Sequence, residues 1–432
     1  MKTENRRAFV KKTGLAAMIA GRELWSGKPS AVGANEKVVL ALIGGHNQGR
    51  NDAKEAIAQG AEFKMFCDID DTVLAQTGEE IRKAQGKPCE TVKDFRRVLD
   101  DPAIDGVLIA VPDHWHAILT ILACQAGKDV YIEKPLSHTI HEGHCMREAA
   151  RKYKRVVQVG TQRRSQTHFR TAVEYVVSGK LGKICLMKAW MCQVRESLGK
   201  PADEPVPAGV DYDRWLGPAP KRPFNKNRFH YTWRFFWDYC NSELGNQGVH
   251  MLDIAMWAIA GMKGLENNLP RRVSGQSGIY WLDDAKEVPD TQVVTYDYGD
   301  LMLVWELHSF QSHRPLEGTE AATAFYGTEG TLLVDGKGWK VIRSKGEPGP
   351  GEPASGGSHL KNFMDCVKSR KQPNADVETG RRSTTLCHLG NISCRLGRDL
   401  NFDPKTETFG ADAEANARLT KEYREPYTLP KI

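Results

Sequence analysis

Apolar positions fall into two regimes along this chain. Over the first 160 residues they gather in short runs, Val38 to Ile43 and Gly106 to Val111, with a second short strand at Asp129 to Ile132 apolar from Val130 on, separated by amphipathic stretches. Unbroken runs of this length suit strands buried on both faces, as in a parallel sheet. Residues 103 to 137 show the arrangement most fully. A strand stops at Pro112, a helical segment runs to Gly127 with Ile118, Ile121, Leu122 and Cys124 toward the core, and a second strand ends in Glu133-Lys134-Pro135. Parallel strands need such a crossover, and ligands bind beyond their carboxyl ends. Polar clusters at both strand ends therefore predict half of an active site.

The second regime begins after RVVQVGTQRR, residues 155 to 164, which reads as the last strand of a first domain and the passage into a second. A helix is predicted over Thr167 to Val177 and a strand over Lys183 to Val194. A proline- and aromatic-rich segment from Gly199 to Tyr239 is too aromatic for a linker and is expected to drape over the site. From Gln247 the pattern is helical, with Asn246 near the cap and His250, Asp253 and Trp257 on one face. Alternating runs at Arg272 to Leu282, Thr291 to Tyr298, Leu301 to Gln311 and Thr323 to Tyr326 follow. A hairpin over Gly330 to Val341 comes next, and together these imply a largely antiparallel sheet. Helices are expected over His359 to Ser369 and Thr384 to Leu396.

Composition narrows the classes. The chain has 432 residues, 40% of them hydrophobic, enough for two domains with full cores. No apolar run approaches the roughly 20 residues that span a bilayer. The net charge is +6, but residues 1 to 34 hold seven Lys/Arg and two Asp/Glu, so the remainder carries +6 − 5 = +1. A near-neutral body argues against nucleic-acid or membrane-surface binding through bulk charge. Ten cysteines without a CxxC pair form neither a disulfide scaffold nor a zinc site, and no metal is expected. Residues 5 to 20, NRRAFVKKTGLAAMIA, resemble a twin-arginine export signal, with cleavage expected after Ala34. This predicts a periplasmic or otherwise exported protein, or a cytoplasmic one if the signal does not function.

The first strand meets the turn IGGHNQG. A dinucleotide site needs a tight turn, close backbone approach to the pyrophosphate and a helix N-terminus aimed at it. Gly44 and Gly49 occupy the first and third glycine places. His46 occupies the second, with Gly45 displaced by one, so His46 would crowd the pyrophosphate unless the turn shifts to use Gly45. Asp68, 24 residues after Gly44, ends the second strand, where a carboxylate bonds ribose hydroxyls and repels a 2′-phosphate. The expected cofactor is NAD rather than NADP. A solvated strand-end aspartate is the plainer alternative, and Arg50 is a counterweight that could pair with a phosphate.

IGG…G at 43 to 49, PDHWH at 112 to 116, AGKDVYIEKP at 126 to 135, WLGPAP at 215 to 220 and GNQGVHMLD at 245 to 253 together resemble the Gfo/Idh/MocA oxidoreductases, in an exported bacterial branch. The resemblance implies an α/β Rossmann domain at 35 to 160 and an α+β domain with an open, mostly antiparallel sheet at 161 to 432. It also implies a homo-oligomer, dimer or tetramer, formed through that sheet, a nicotinamide cofactor, and sugars, sugar derivatives or cyclitols as substrates. Lys134 matches the family's catalytic lysine and His250 its catalytic histidine. Asn246 stands where the family commonly has aspartate.

Oxidising a secondary alcohol requires a base and a group to stabilise the developing oxyanion. His250 suits the first task and Lys134 the second. Asp253 would hold the imidazole or is an ordinary helix-face carboxylate. Asn246 cannot carry charge but can bond a hydroxyl. The expected cofactor contacts are Gly44, Gly45, His46, Gln48, Gly49, Asp68, Pro112, His116, Glu133 and Lys134, with His116 alternatively capping its helix. His114 and Trp115 read as loop packing. Arg163, Arg164, Trp233, Arg234 and Asp238 are candidate sugar contacts. Three activities fit: an NAD-dependent sugar oxidoreductase, a redox-neutral NAD-dependent glycoside hydrolase or lyase that oxidises transiently, and a non-catalytic sugar-binding protein. Export would require the cofactor to be held tightly and recycled within each turnover.

Overall fold

Six strands build the first sheet: β1 (Val39–Ile43), β2 (Glu62–Cys67), β3 (Glu90–Val92), β4 (Gly106–Ile109), β5 (Asp129–Ile132) and β6 (Val157–Val159). All pairs are parallel, in the order β3-β2-β1-β4-β5-β6. The computed structural model describes residues 37–311 and 318–432, and the export signal read at 1–34 lies outside them. Every residue of β4 and β5 is buried, as strands covered on both faces require, with Asp129 at the start of β5 paired to Arg370. Strand order reverses between β1 and β4, which opens a crevice at their carboxyl ends. Around the sheet run α1 (Gln48–Ala58), α2 (Asp71–Gln85), α3 (Phe95–Asp100), α4 (His116–Gln125) and α5 (Ile140–Lys152).

The second sheet has nine strands, β7 (Ile184–Cys192), β8 (Arg272–Gly278), β9 (Thr291–Asp297), β10 (Met302–His308), β11 (Ala321–Gly327), β12 (Gly330–Asp335), β13 (Gly338–Arg343), β14 (Pro348–Pro353) and β15 (Leu400–Asn401). Their order is β14-β13-β12-β11-β7-β10-β9-β8-β15, antiparallel except where β7 runs parallel to β10. Burial alternates along β9 and β10, so one face is covered and the other open. α6 (Thr167–Val177), α8 (Val249–Lys263) and α10 (Val377–Leu396) cover it, and Trp305, Tyr296, Leu252 and Leu389 meet in one core. The short α7 (Tyr212–Leu216) lies in the draped segment, and α11 (Ala413–Ala417) in the tail.

The chain beyond residue 160 also covers the first sheet: α9 (His359–Ser369) returns to it, where Leu360, Phe363 and Val367 pack with Leu40, Phe63 and Tyr131. The other sheet face receives Tyr423, Tyr427 and Ile432 from the tail. Each face of a doubly covered sheet must be shielded, and the distal chain supplies part of that cover. One expectation changes just before α8. Asn246 does not cap a helix starting at Gln247 but lies inside a π-helical turn, Leu244–Gly248, continuous with α8. Gly245 permits that winding, since a Cβ there would come 2.3 Å from Asn241 Cβ.

Candidate active site

The glycine turn closes on itself too tightly for side chains. Gly44 has φ +89°, and a Cβ at Gly49 would lie 2.0 Å from the Gly44 carbonyl oxygen. The Gly45 amide donates to Asp68 Oδ2 at 2.8 Å and the Asp70 amide to Oδ1 at 3.1 Å. Asp68 thus braces the turn while lining the crevice, and burial pushes its carboxyl up. At the start of α1, Asn47 makes no side-chain cap and the first turn holds no acid, so the helix end is left to an anion. His46 does not crowd the turn: its ring stacks on His230 at 5.0 Å. Arg50 is engaged by Glu80 at 3.1 Å.

A cavity of about 600 Å³ extends from this turn to the domain junction. Glu133 and Lys134 reach it from the end of β5, beside a cis Lys134–Pro135 peptide. From the other domain come Asn246, Gln247 and His250. Lys134 Nζ donates to Asn246 Oδ1 at 3.2 Å, and Arg234 Nη1 approaches the same oxygen at 3.4 Å. Asn246 Nδ2 donates to Glu243 Oε2 at 3.0 Å, and Glu243 pairs with Arg195 at 2.8 Å. His250 is held well below the usual imidazole range, first by burial, then by the charges of Lys134 and Arg163. Its imidazole is therefore neutral at ordinary pH. Asp113, pushed up to about 7 by burial against the pull of Lys134, accepts from Asn241 Nδ2 at 3.0 Å.

The aromatic segment does lie across this cavity. Gly209 accepts from the Asp71 amide at 3.2 Å and from Lys93 Nζ at 2.8 Å, and the Asp211 amide donates to the Ile69 carbonyl at 3.0 Å. His230, Tyr231, Trp233 and Arg234 line the cavity from that segment. The Arg234 guanidinium stacks 3.9 Å from the Tyr231 ring centroid. From the tail, Tyr427 meets Trp115 at 5.3 Å.

Of the expected site residues, Gly44, His46, Gln48, Asp68, Pro112, Glu133, Lys134, Trp233, Arg234, Asn246 and His250 line this one cavity, while Gly45 and Gly49 build its turn. Five residues do not. His116 faces away: its ring nitrogens meet the carbonyls of Val111, at 2.9 Å, and Pro135, at 2.8 Å, and so buckle the two strand-end loops together. Asp253 is 0% exposed and bonds Arg164 Nε at 2.7 Å and the Ser383 hydroxyl, so it neither reaches His250 nor leaves Arg164 free for a sugar. Arg163 lies half-buried over the Phe169 ring at 5.2 Å, and loss of solvent around its guanidinium lowers it to about 10. Asp238 pairs with Arg222 at 2.6 Å and borders a different cavity. His114 is core packing, pushed down to about 3 by burial, whereas Trp115 both packs and lines the cavity. Residues not anticipated are Asp52, Asp113, Gln162, Tyr231 and Glu243. Asp113 sits inside the PDHWH stretch, but nothing local marks the other four.

Among the described residues no group of His, Cys, Asp and Glu could hold a metal ion. The cradle does fit a dinucleotide, since Gly44, Gly45 and Gly49 each leave no room for a Cβ and the helix end above them carries no cap.

Comparison with known proteins agrees. Residues 38–161 match the model described as "Oxidoreductase family, NAD-binding Rossmann fold", and residues 188–311 and 350–429 match "Oxidoreductase family, C-terminal alpha/beta domain", both of the GFO_IDH_MocA set. The scyllo-inositol 2-dehydrogenase (NAD(+)) of Bacillus subtilis (strain 168) is 29% identical over 147 residues, 34% of this chain and 42% of that one. The matched stretch thus spans less than half of that curated relative. The WlbA dehydrogenase of Bordetella pertussis, solved with NADH and UDP-GlcNAcA, superposes with a TM-score of 0.63 at 19% identity, over 85% of this chain and 99% of that one. An aldose-aldose oxidoreductase from Caulobacter crescentus, complexed with glycerol, gives 0.64 at 18% identity, over 85% and 100%. Both share the fold.

Proposed function

The chain belongs to the Gfo/Idh/MocA oxidoreductase family, and from that premise we propose that it transfers a hydride between a hydroxyl of a sugar, sugar derivative or cyclitol and a tightly held NAD. The observation that carries this reading is the 3.2 Å hydrogen bond from Lys134 to Asn246, which joins the two domains inside the cavity that His250 also lines. When bound, the nicotinamide supplies the hydride acceptor. The glycine turn and the uncapped end of α1 would hold the diphosphate, and Asp68 the adenosine ribose. His250, neutral, takes the hydroxyl proton, and the Lys134 ammonium polarises the same oxygen. Asn246 keeps Lys134 aimed, while Trp233, Tyr231 and Arg234 offer a ring face and a cation to a sugar.

The draped segment supports slow cofactor release, because it crosses the cavity mouth and bonds back to the first domain. That suits an exported enzyme, which the twin-arginine pattern at residues 5 to 20 supports. Association through the second sheet is supported by outward apolar residues at Val293, Met302 and Ile342, which are 43%, 44% and 44% exposed. The decisive experiment is to purify the protein gently, measure its nicotinamide content, and follow reduced-nicotinamide absorbance against a panel of sugars and cyclitols. Stoichiometric cofactor that becomes reduced on one of these supports the proposal. Product without net reduction points to the redox-neutral activity. A protein that neither holds nor takes up NAD has no such function.

A further inference from the structure

Lys134 and Arg234 reach the cavity from different domains and converge on one atom. Lys134 Nζ lies 3.2 Å from Asn246 Oδ1 and Arg234 Nη1 lies 3.4 Å from it, so the two cations stand no farther apart than those distances together. Among the described residues neither cation forms an ion pair. The acid next to Asn246 is taken, since Glu243 accepts from Asn246 Nδ2 at 3.0 Å and pairs with Arg195 at 2.8 Å. The amide cannot turn over without setting its own Nδ2 against the two cations.

Two like charges gathered round a neutral oxygen repel each other, at a cost that grows as water is excluded. Arg234 is nevertheless fixed in place. Its Nε donates to the Tyr231 carbonyl at 2.8 Å, its guanidinium lies 3.9 Å from the Tyr231 ring centroid, and Nη2 bonds no described residue. A guanidinium with its end free and a lysine beside it match a carboxylate, which accepts planar, paired bonds that a hydroxyl cannot. The cavity's own acids nearby are turned elsewhere: Asp113 accepts from Asn241 Nδ2 at 3.0 Å, and Glu133 from Gln162 Nε2 at 3.1 Å.

We infer that the substrate is an acidic sugar, a uronate or an aldonate, whose carboxylate is held by Arg234 close to the hydroxyl that is oxidised. The inference rests on the hydride-transfer reading above and narrows its substrate class. Lys134 keeps its place on the reacting oxygen, and the substrate carboxylate beside it supplies the negative charge that Asn246 lacks. A neutral sugar leaves the two cations uncompensated, so discrimination comes from the missing acid at 246 as much as from Arg234. Because both cations reach one atom, the groups they bind sit close together on the substrate.

The test measures binding to the holoprotein by calorimetry, and turnover by reduced-nicotinamide absorbance, over matched sets of probes. These are D-glucose, D-glucuronate and D-glucuronamide, the corresponding galactose set, and D-gluconate against D-sorbitol. In at least one set the acid should bind about 10- to 100-fold more tightly than its neutral counterparts, the contribution of a charge-assisted paired bond. Arg234→Gln should bring the acid to within about threefold of its neutral counterparts, and Arg234→Lys should keep part of the preference. The amide comparison needs no variant, so it decides the matter if Arg234→Gln does not fold. No acid preference in any set, or a preference undiminished in Arg234→Gln, overturns the inference. Oxidation of neutral sugars as readily as of acids does so too, while leaving hydride transfer intact. A protein that neither holds NAD nor reduces it with any probe overturns both.

Discussion

Lys134 Nζ and Asn246 Oδ1 stand 3.2 Å apart, one from the strand end of the first domain and the other from the π-helical turn of the second. That bond makes the lysine's direction depend on how the two domains meet. An ammonium on a four-carbon stem has ample rotamer freedom, and fixing it is part of what the junction does. The first prediction follows directly. Lys134→Met should lower kcat/KM by about 10²- to 10³-fold, the usual cost of one oxyanion donor. Circular dichroism and bound cofactor should be unchanged. Loss of cofactor together with activity would make Lys134 a binding residue instead.

The imidazole of His250 supplies the second prediction. Burial and the nearby Lys134 and Arg163 charges hold it below the ordinary value of about 6.5. Each cation opposes its protonation, so removing one must raise the titration point. In Lys134→Met the His250 ring, followed by NMR, should titrate at higher pH than in the native protein. An unmoved titration would mean that burial alone neutralises the ring.

Acid stability gives a third. Burial holds His114, His388 and His359 at about 3, 3 and 4. Their folded values lie below the unfolded one, so below about pH 6.5 the unfolded chain binds the extra protons. Stability is full above that pH and falls by about 1.4 kcal/mol per unit for each ring as pH drops toward 4. Asp113 works in the opposite sense, since at about 7 its folded value exceeds the unfolded carboxylate value. It offsets about one of the three. Denaturant unfolding should show His388→Asn losing about 1.4 kcal/mol less per pH unit than the native protein between about pH 6.5 and 4, and an unchanged slope would show that His388 does not titrate this way.

What the sequence disclosed and what it withheld divide along physical lines. The parallel sheet was legible because strands buried on both faces leave unbroken apolar runs, and EKP and GVH were legible because their residue types are chemically scarce. Asp253 misled because helical spacing puts it near His250 without saying which side faces the cavity, and a buried arginine on another element claims it. Glu243 and Asp52 left no signal, since a carboxylate's partner or lack of one is decided by contacts distant in the chain. The π-helical turn was equally hidden: it shifts the phase of the helix by a residue while leaving its apolar pattern nearly intact.

Asp253 itself yields a fourth prediction. Its pairing with Arg164, whose side chain is 9% exposed, is a buried ion pair without contact to the reacting groups. Asp253→Ala leaves that guanidinium uncompensated and should cost about 3–5 kcal/mol in denaturant unfolding. The pH dependence of kcat should not move. A shifted pH profile at unchanged stability would restore the catalytic reading of Asp253.

Asn246→Asp, the change that restores the family's commoner residue, should impair this protein. The amide presents two different faces: Oδ1 accepts from Lys134, while Nδ2 donates to Glu243 at 3.0 Å. A carboxylate can keep the first bond but must replace the second with an oxygen facing Glu243. One of the two acids then holds a proton at higher pH than it does in the unfolded chain, so the penalty is full at alkaline pH and shrinks as pH falls through that raised value. Relative to the native protein, the variant should lose about 1–3 kcal/mol near pH 8 and recover part of it near pH 5. The added charge should also draw Lys134 into an ion pair and lower kcat more than it raises KM. A variant as stable and active as the native protein at pH 8 would show that Glu243 has no bearing on residue 246.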